Sequence, residues 1–229
     1  MSLRFQGVAF DLEGTIVDLE SAHHQGHLDA AAEVGLHLSL EQAINEIPAF
    51  VGGPDVEIAR AIQSRVSQQI TVDQLLSRMK YFYSRYRRNM VVRPRPGFDH
   101  ILSQIERLGI LTCIGSVTNR DEGIALVNAC GLDGSFSADR LVFAEDVMSL
   151  KPAPDVYLET ARRMSVTPMQ QIVFEDSVPG VQAAVAAGST VIAIPVLQQN
   201  EFRARLLHSG AALVYATWAD VDISSLLAA

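Results

Sequence analysis

The chain has 229 residues, of which 48% are hydrophobic and 19% are charged. A chain of this length and composition can bury one good core and a smaller second one, so we expect a main domain with an insert. The net charge of −8 at pH 7 gives no general attraction to nucleic acid or to an anionic membrane, which leaves a small molecule as the expected partner. No apolar run is long enough to cross a bilayer and no signal-peptide pattern opens the chain, so we expect a cytoplasmic protein. We also expect a monomer.

The first predicted element is a buried strand over residues 8–10 that runs into two carboxylates. Asp11 and Glu13 are separated by one residue, and Gly14 then allows the chain to turn sharply. Ligands of an open parallel α/β sheet bind at the carboxyl ends of its strands, so Asp11 is a candidate nucleophile. Taken alone, the same residues also fit an ordinary turn after a strand.

A helical pattern then continues as far as about residue 90. The predicted helices cover residues 18–35, 40–47, 56–66 and 72–86, with one break at Gly52-Gly53-Pro54. The proline and glycine of residues 93–97 mark the return to the main domain. We therefore predict a helical cap domain over residues 18–91, inserted into a core domain made of residues 1–17 and 92–229.

From residue 98 onward, helical patterns alternate with short apolar strands. The predicted helices cover residues 98–108, 121–130, 155–164 and 178–187, and the predicted strands cover residues 110–114, 141–143, 171–174, 190–194 and 211–214. Such alternation predicts a doubly wound parallel sheet with helices on both faces. The expected fold class is therefore α/β, with an all-helical insert.

A polar segment follows the strand predicted over residues 110–114. Its hydroxyl and amide groups are of the kind that binds phosphate oxygens, although an ordinary helix N-cap would have the same composition. The candidate phosphate-binding residues of this segment are Ser116, Val117, Thr118 and Asn119.

A lysine and two acidic residues lie near the ends of later predicted elements. Pro152 and Pro154 fix the backbone after Lys151, which fixes where the lysine points, although an exposed lysine is the commoner meaning of such a residue. Glu175 and Asp176 end the strand predicted over residues 171–174 and again place carboxylates at a strand end. By themselves they could cap the next helix.

In this order, the motifs resemble those of the haloacid dehalogenase superfamily of phosphohydrolases. The subgroup they resemble contains β-phosphoglucomutase and phosphoglycolate phosphatases, and the resemblance covers nearly the whole chain. Its most specific pieces are Asp11-Leu12-Glu13-Gly14-Thr15, Lys151-Pro152-Ala153-Pro154-Asp155, and Glu175-Asp176-Ser177-Val178-Pro179-Gly180 with Ala187-Gly188. The resemblance implies a Rossmann-type core of the haloacid dehalogenase kind, and it places the helical insert where this subgroup has its cap.

The resemblance implies a Mg²⁺-dependent phosphatase that acts on a small phosphorylated metabolite. Asp11 would attack phosphorus and form an aspartyl-phosphate, which splits one hard hydrolysis into two easier steps. The ligands of Mg²⁺ would be the Asp11 carboxylate, the Glu13 backbone carbonyl, Asp176 and waters, with Glu175 behind them.

Two further residues are assigned to the phosphate by the same resemblance. Ser116 and Lys151 would hold its remaining oxygens, and Lys151 would also screen Asp11 from the incoming anion. These two residues join Asp11 and Glu13 in the expected catalytic set.

Glu13 departs from the pattern of the superfamily, which usually has a second aspartate there. That acid would protonate the leaving oxygen and later activate water, and enolase-phosphatases of the same superfamily also carry a glutamate, although their lysine and acidic motifs differ from those of this chain. If Glu13 cannot reach, acid–base help of about a hundredfold to ten-thousandfold is lost, and the chain would be a phosphate-binding protein with little or no turnover. A 2-haloacid dehalogenase is disfavoured, because that branch needs no Mg²⁺ and keeps no acid at this position.

The cap contains three histidines near the start of its first predicted helix. We interpret His23, His24 and His27 as helix-surface or hinge residues rather than a metal site, whose ligands would have to converge. By resemblance, His23 falls where the sugar mutases keep a histidine beside the active site. A sugar phosphomutase is the alternative function, but Val51 and Asp55 replace the lysine and arginine with which that family grips a second phosphate.

Two features of the sequence are interpreted as surface features. A basic run near the end of the cap is interpreted as a solvated face rather than as a surface that attracts the substrate. It consists of Arg85, Arg87, Arg88, Arg93 and Arg95. Apolar residues near the C-terminus are interpreted as packing at the edge of the sheet, and they are Trp218, Leu226 and Leu227.

Overall fold

The computed structural model describes residues 4–51 and 53–228, and their contacts divide the chain into two compact units. The first unit contains Met1–Asp18 and Val92–Ala229, and the second contains Leu19–Val91. The assignment of the second unit as a cap domain stays a prediction. Gly52, part of the predicted break between helices, lies outside the described residues.

Strands and helices alternate in the first unit, and the second is helical. The strands are β1 (Gly7–Phe10), β2 (Leu111–Gly115), β3 (Leu141–Val142), β4 (Gln171–Glu175), β5 (Thr190–Ala193) and β6 (Leu213–Val214). The α-helices are α1 (Glu20–Glu33), α2 (Leu40–Glu46), α3 (Asp55–Gln63), α4 (Val72–Asn89), α5 (Phe98–Arg107), α6 (Arg120–Ala129), α7 (Asp155–Met164), α8 (Val178–Ala187), α9 (Asn200–His208) and α10 (Ile223–Ala228).

Within the described part of the chain, six strands form one parallel sheet in the order β3-β2-β1-β4-β5-β6. The chain begins in the middle of the sheet, builds outward to one edge, and then returns to build the other half beside β1. Every residue of β1 and of β4 is buried, as expected for strands that are covered by helices on both faces. The prediction of a doubly wound α/β fold is confirmed.

An aromatic cluster fills the core below the carboxyl ends of β1 and β4. Phe10 stacks on Phe174 with ring centroids 5.5 Å apart and meets Phe98 edge to face at 5.3 Å. Trp218 packs against Phe174 at 4.9 Å, and its Nε1 donates to the Thr15 carbonyl at 3.1 Å. Only 1% of Trp218 is exposed, so its interpretation as edge packing was wrong.

The second unit is built around the close contact of α1 with α4. A Cβ atom on Gly26 would lie 3.0 Å from the backbone nitrogen of Tyr83, so the glycine lets the two helix backbones approach each other. Glu33 at the end of α1 accepts two hydrogen bonds from the guanidinium of Arg78 on α4. The helices of this unit are therefore joined both by close packing and by an exposed ion pair.

Local side-chain chemistry fixes where two helices of the second unit begin. Ser39 accepts a hydrogen bond from the Gln42 backbone, and the Gln42 side chain accepts one from the Ser39 backbone. Thr71 and Gln74 make the same reciprocal pair at the start of α4. Such capping boxes satisfy two N–H groups that a helix end would otherwise leave without partners.

Two helices, α9 and α10, were not predicted from the sequence. The buried residues of helix α9 are Phe202 and Leu206, and these two give too short an apolar pattern to predict a helix. The limits of α7 and α8 agree with the prediction to the residue. Across the described ranges, no helix combines the length and the apolar character needed to span a membrane.

Candidate active site

The register of the sheet brings the predicted carboxylates to one edge. Phe10 pairs with Ile114 of β2 on one side and with Phe174 of β4 on the other. Asp11, which follows Phe10, therefore stands beside Glu175, which follows Phe174. Its backbone nitrogen donates to the Phe174 carbonyl at 3.0 Å, so the chain is still held by the sheet at the residue that carries the carboxylate.

Lys151 binds both carboxylates. Its Nζ donates to Oδ1 of Asp11 at 2.6 Å, to Oε1 of Glu175 at 2.7 Å and to the Gly115 carbonyl at 3.3 Å. Only 6% of the lysine side chain is exposed, so the alternative of an ordinary exposed lysine was wrong. The three N–H groups of the ammonium have one acceptor each, which fixes its position.

Burial and charge act against each other on these groups. Burial raises the pKa of Asp11 to about 7, although Lys151 lowers it and the negative charge of Glu175 raises it further. Burial alone would lower the pKa of Lys151, but the charges of Asp11 and Glu175 raise it above its usual value. The lysine therefore stays charged, and Asp11 depends on a neighbouring positive charge to stay ionised at neutral pH.

Glu175 lies beneath this pair and is fully buried. Its Oε1 accepts hydrogen bonds from Lys151 and from the hydroxyl of Tyr157, the latter at 2.7 Å. Its Oε2 accepts from the backbone nitrogens of Asp176 and Ser177 at 2.9 and 3.1 Å and from the Ser177 hydroxyl at 3.1 Å. Burial would raise the pKa of Glu175, but the lysine and these hydrogen bonds lower it, so the carboxylate is ionised.

The acidic residues fit a hard divalent cation. Asp11, Glu175 and Asp176 are buried, and one oxygen of each lies within 4.8 Å of the others. Oδ2 of Asp11 is buried and finds no hydrogen-bond partner among the described residues. A buried polar atom normally has a partner, and a bound cation would supply one here. Because carboxylate oxygens are the ligands that Mg²⁺ prefers, the residues present fit this ion.

Glu13 is joined to the segment that follows β2. The hydroxyl of Thr118 donates to Oε1 of Glu13, and the hydroxyl of Ser116 donates to that of Thr118 at 2.9 Å. The longer glutamate side chain thus spans from the loop after β1 to the loop after β2. Ser116 itself is buried, with 2% of its surface exposed.

The other two residues of the predicted phosphate segment contribute less. The Asn119 side chain accepts from the Glu122 backbone at 3.0 Å and so caps α6, which is the helix-cap alternative that its composition left open. Val117 is half-buried and offers only backbone polar groups. The structure thus joins Ser116 and Thr118 to the carboxylates through Glu13, while the Asn119 side chain is engaged at the start of a helix.

The interpretation of the basic run as a solvated face was wrong for Arg95. Its guanidinium donates to the carbonyls of Gly14 and Ile194 at 2.5 Å each and to that of Pro195 at 3.2 Å. Arg95 thus ties the turn after Glu13 to the end of β5. A sequence pattern gives no sign of this role, because the three acceptors are backbone groups.

His23 lies on α1 in the second unit and stacks on Tyr83 with ring centroids 3.7 Å apart. Burial lowers the pKa of His23 to about 4, and the nearby His27 and Arg87 lower it too, so the ring is neutral at pH 7. His27 is buried and its Nε2 lies 3.2 Å from Oδ1 of Asp55.

The prediction of surface or hinge histidines was wrong for two of the three. His24 and His27 have only 3% and 5% of their surface exposed. In the parts of the chain described by the structure, the acidic group formed by Asp11, Glu175 and Asp176 is the metal-type cluster, and the histidines form none.

Comparison with known proteins agrees with this geometry. The family profile described as haloacid dehalogenase-like hydrolase matches residues 8–194. The chain is similar to the fructose-1-phosphate phosphatase YqaB of Escherichia coli, with 36% identity over 85% of this chain and 98% of that protein. It is also similar to hexitol phosphatase B of Escherichia coli, with 28% identity over 95% of this chain and 90% of that protein.

Solved structures show the same likeness. A conserved haloacid dehalogenase-like protein of unknown function from Agrobacterium tumefaciens superposes with a TM-score of 0.83 and 26% identity, over 97% of this chain and 98% of that one. A haloacid dehalogenase family hydrolase from Deinococcus radiodurans, with bound phosphate and sodium, gives a TM-score of 0.78 and 25% identity over 99% and 97% of the two chains. The chain belongs to the haloacid dehalogenase-like hydrolases and is an enzyme of that family.

Proposed function

We propose that the protein is a Mg²⁺-dependent phosphatase that hydrolyses a small phosphorylated sugar or sugar alcohol through an aspartyl-phosphate. The observation that carries the proposal is the pairing of Asp11 with the buried Lys151, which leaves the second oxygen of Asp11 without a hydrogen bond from the described residues. The substrate class is supported by the similarity to phosphatases named for fructose 1-phosphate and for hexitols.

Asp11 is the proposed nucleophile because its carboxylate is held on rigid backbone at the end of a central strand. Lys151 fixes one of its oxygens and neutralises its charge, which would otherwise repel the phosphate. A bound Mg²⁺ would be held by Asp11 and Asp176 and by the Glu13 backbone carbonyl, and would neutralise further phosphate charge. Glu175 would act from behind, because its oxygens are already occupied by Lys151, Tyr157 and backbone N–H groups.

Glu13 is the proposed general acid and base. Its carboxylate reaches Thr118, so the added methylene is used to cross between two loops and the group is held in place. Ser116 and Thr118 supply hydroxyl groups beside it. We propose that these hydroxyl groups bind phosphate oxygens, as Lys151 does. This arrangement supports an active enzyme over a phosphate-binding protein that has lost turnover.

A sugar phosphomutase fits the second unit less well. That reaction needs positively charged side chains that bind a second phosphate. At one position where such a side chain is expected, the chain has Asp55, which pairs with His27. An exposed carboxylate would repel the second phosphate. His23, neutral because of its lowered pKa, could offer a hydrogen bond but no positive charge, so it does not replace the missing cation.

The test is a screen of the purified protein against phosphate monoesters. The panel contains fructose 1-phosphate, hexitol phosphates, phosphoglycolate and β-glucose 1-phosphate, each with Mg²⁺ and with a chelator. Release of phosphate from the sugar or hexitol esters, only with Mg²⁺, is expected. Conversion of β-glucose 1-phosphate to glucose 6-phosphate without phosphate release would support the mutase, and no turnover of any ester would support the binding protein.

A further inference from the structure

We propose that Tyr157 is a positioning residue of this site: its hydroxyl holds Glu175, and through Glu175 it holds Lys151 against Asp11. The inference rests on the proposed phosphatase function. Tyr157 lies on α7, outside the loops that carry the predicted catalytic residues, and it is 0% exposed. It would touch neither substrate nor metal, so its effect would pass through the two residues that separate it from the nucleophile.

The hydroxyl and the ammonium bind the same oxygen atom. Tyr157 donates to Oε1 of Glu175 at 2.7 Å, and Nζ of Lys151 donates to that atom at 2.7 Å. The lysine then reaches Asp11 at 2.6 Å. The position of this one oxygen therefore decides where the ammonium stands relative to the nucleophile.

The backbone N–H groups that bind Glu175 reach only its other oxygen, so Oε1 depends on the Tyr157 hydroxyl for a fixed donor. The other oxygen, Oε2, is held by the backbone nitrogens of Asp176 and Ser177 at 2.9 and 3.1 Å. With Oε2 anchored, the carboxylate can still tilt about that side unless Oε1 has a fixed donor of its own. The tyrosine supplies such a donor from the buried face of α7, and its O–H acts on a charged acceptor, where a hydrogen bond is strongest.

The ring of Tyr157 supports the lysine from a second direction. Nζ of Lys151 lies 5.0 Å from the ring centroid, within the range of a cation–π contact. The ring also packs against Gly115, whose carbonyl is the third acceptor of the ammonium: a Cβ there would lie 3.4 Å from Cε1 of Tyr157. The hydroxyl and the ring thus act on the same cation.

The test uses Tyr157→Phe, which removes the hydroxyl and keeps the ring. We measure kcat and KM on the ester found active in the screen, and the hydrogen exchange of the Lys151 ammonium by ¹H–¹⁵N NMR, assigned by its absence in Lys151→Met. The expected result is a fall in kcat of about ten- to a hundredfold, the range for losing a hydrogen bond to a charged group, with KM changed less than about threefold. Ammonium exchange should rise by at least about tenfold for the same reason.

Thr160→Val is the matched control. Thr160 is buried on the same helix, and its hydroxyl oxygen lies 3.0 Å from the Tyr157 backbone carbonyl and 2.9 Å from Oε1 of Gln171, the two acceptors within reach of its one hydrogen. Removing it should lower the unfolding temperature as Tyr157→Phe does, while kcat and ammonium exchange stay at the wild-type level. Equal losses of kcat in both variants would overturn the proposal, because they would reflect a weakened core alone.

Different results would overturn the role of Tyr157 and the proposed phosphatase function. Ammonium exchange and kcat of Tyr157→Phe within about twofold of wild type would overturn the role of Tyr157 and leave the phosphatase standing, since a lost hydrogen bond to a charge should give more. If wild type hydrolyses no ester, the proposed function fails, and the ammonium exchange alone still decides whether Tyr157 positions Lys151.

Discussion

Gly180 leaves no room for a side chain beside Glu175: a Cβ atom built on it would lie 1.7 Å from Oε1 of that carboxylate. Gly14 stands in the same relation to Asp176, with a Cβ position 2.1 Å from Oδ2, and its φ of +88° also favours glycine. Two of the buried carboxylates therefore occupy space that a side chain on either glycine would fill. The acidic site therefore needs glycine at these two positions as well as the charged residues themselves.

Gly180→Ala is expected to lower both stability and turnover. Alanine would favour helix α8 by about 1 kcal/mol, yet overpacking against Glu175 costs about 1–3 kcal/mol and displaces the acceptor of Lys151. Chemical denaturation and kcat measure the two effects. Gly134→Ala is the control, since a Cβ there meets nothing within 4 Å. A Gly180→Ala protein with wild-type turnover would show that Glu175 does not need its observed position.

Asp11→Asn is expected to abolish turnover and leave the fold intact. An amide has nearly the shape of the carboxylate but is no nucleophile, so kcat should fall by more than about a thousandfold. Steady-state kinetics and circular dichroism measure the two parts. Asp99→Asn, on the exposed face of α5, should match wild type. Survival of most of the activity in Asp11→Asn would remove the nucleophile assignment.

Mg²⁺ affinity should fall in an Asp176 variant and should not fall in a Lys151 variant. Asp176→Asn removes a proposed ligand and should weaken Mg²⁺ binding by at least about tenfold. Lys151→Met removes the cation that competes for the same carboxylates and should leave the affinity equal or tighter. Isothermal titration checks both, with the exposed Asp133→Asn as the control. Equal weakening in the Asp176 and Lys151 variants would count against the metal site.

Glu13→Gln is expected to slow turnover by at least about a hundredfold while binding of a phosphate mimic is unchanged, because the transferable proton is lost at nearly constant size. Glu13→Asp should retain part of the activity, because aspartate keeps the transferable proton but is one methylene shorter than the side chain that reaches Thr118. Stopped-flow kinetics and vanadate inhibition measure the two quantities. A wild type without activity that gains it through Glu13→Asp would identify the natural protein as a binder.

The contact between Thr118 and Glu13 can be tested in the same series. Thr118→Val should lower kcat by about tenfold, as expected for one hydrogen bond to a charged group, by releasing the Glu13 carboxylate. In a Glu13→Gln background it should have a smaller further effect, because the group it positions is already inactive and only its contact with the phosphate remains to be lost. Fully additive losses in the double variant would mean that Thr118 acts on the phosphate alone and does not position Glu13.

Much of the core could be predicted because its signals are local. Apolar runs with strand length alternate with helical patterns, and the carboxyl ends of parallel strands share one edge, which is enough to bring Asp11 and Glu175 together. The two prolines that fix its backbone singled out Lys151, and the resemblance to the superfamily gave it a place beside the phosphate. The helical pattern of the second unit predicted helices starting at residues 40 and 72, which is where α2 and α4 begin after the caps Ser39 and Thr71.

The roles that were missed depend on contacts between distant parts of the chain. Trp218 looks like an isolated aromatic near the C-terminus, and only the folded chain puts it on Phe174. In the sequence, Arg95 is one more member of a basic run. Two of its hydrogen-bond acceptors are the carbonyls of Ile194 and Pro195, which are 99 and 100 residues later in the chain. Tyr157 has the spacing of a core residue of α7, and periodicity cannot reveal that its hydroxyl meets a carboxylate.

The central position of β1 has a consequence for biosynthesis. β1, which precedes Asp11, is synthesised before the other five strands of the sheet, yet its neighbours, β2 and β4, begin only at Leu111 and Gln171. The turn after Asp11 receives a further hydrogen bond from Trp218, 203 residues later than Thr15. The contiguous helical unit, by contrast, can complete its own contacts while the rest is still being made. During translation, β1 therefore gains one neighbour only after Leu111–Gly115 and the other only after Gln171–Glu175, and Thr15 waits longer still for Trp218.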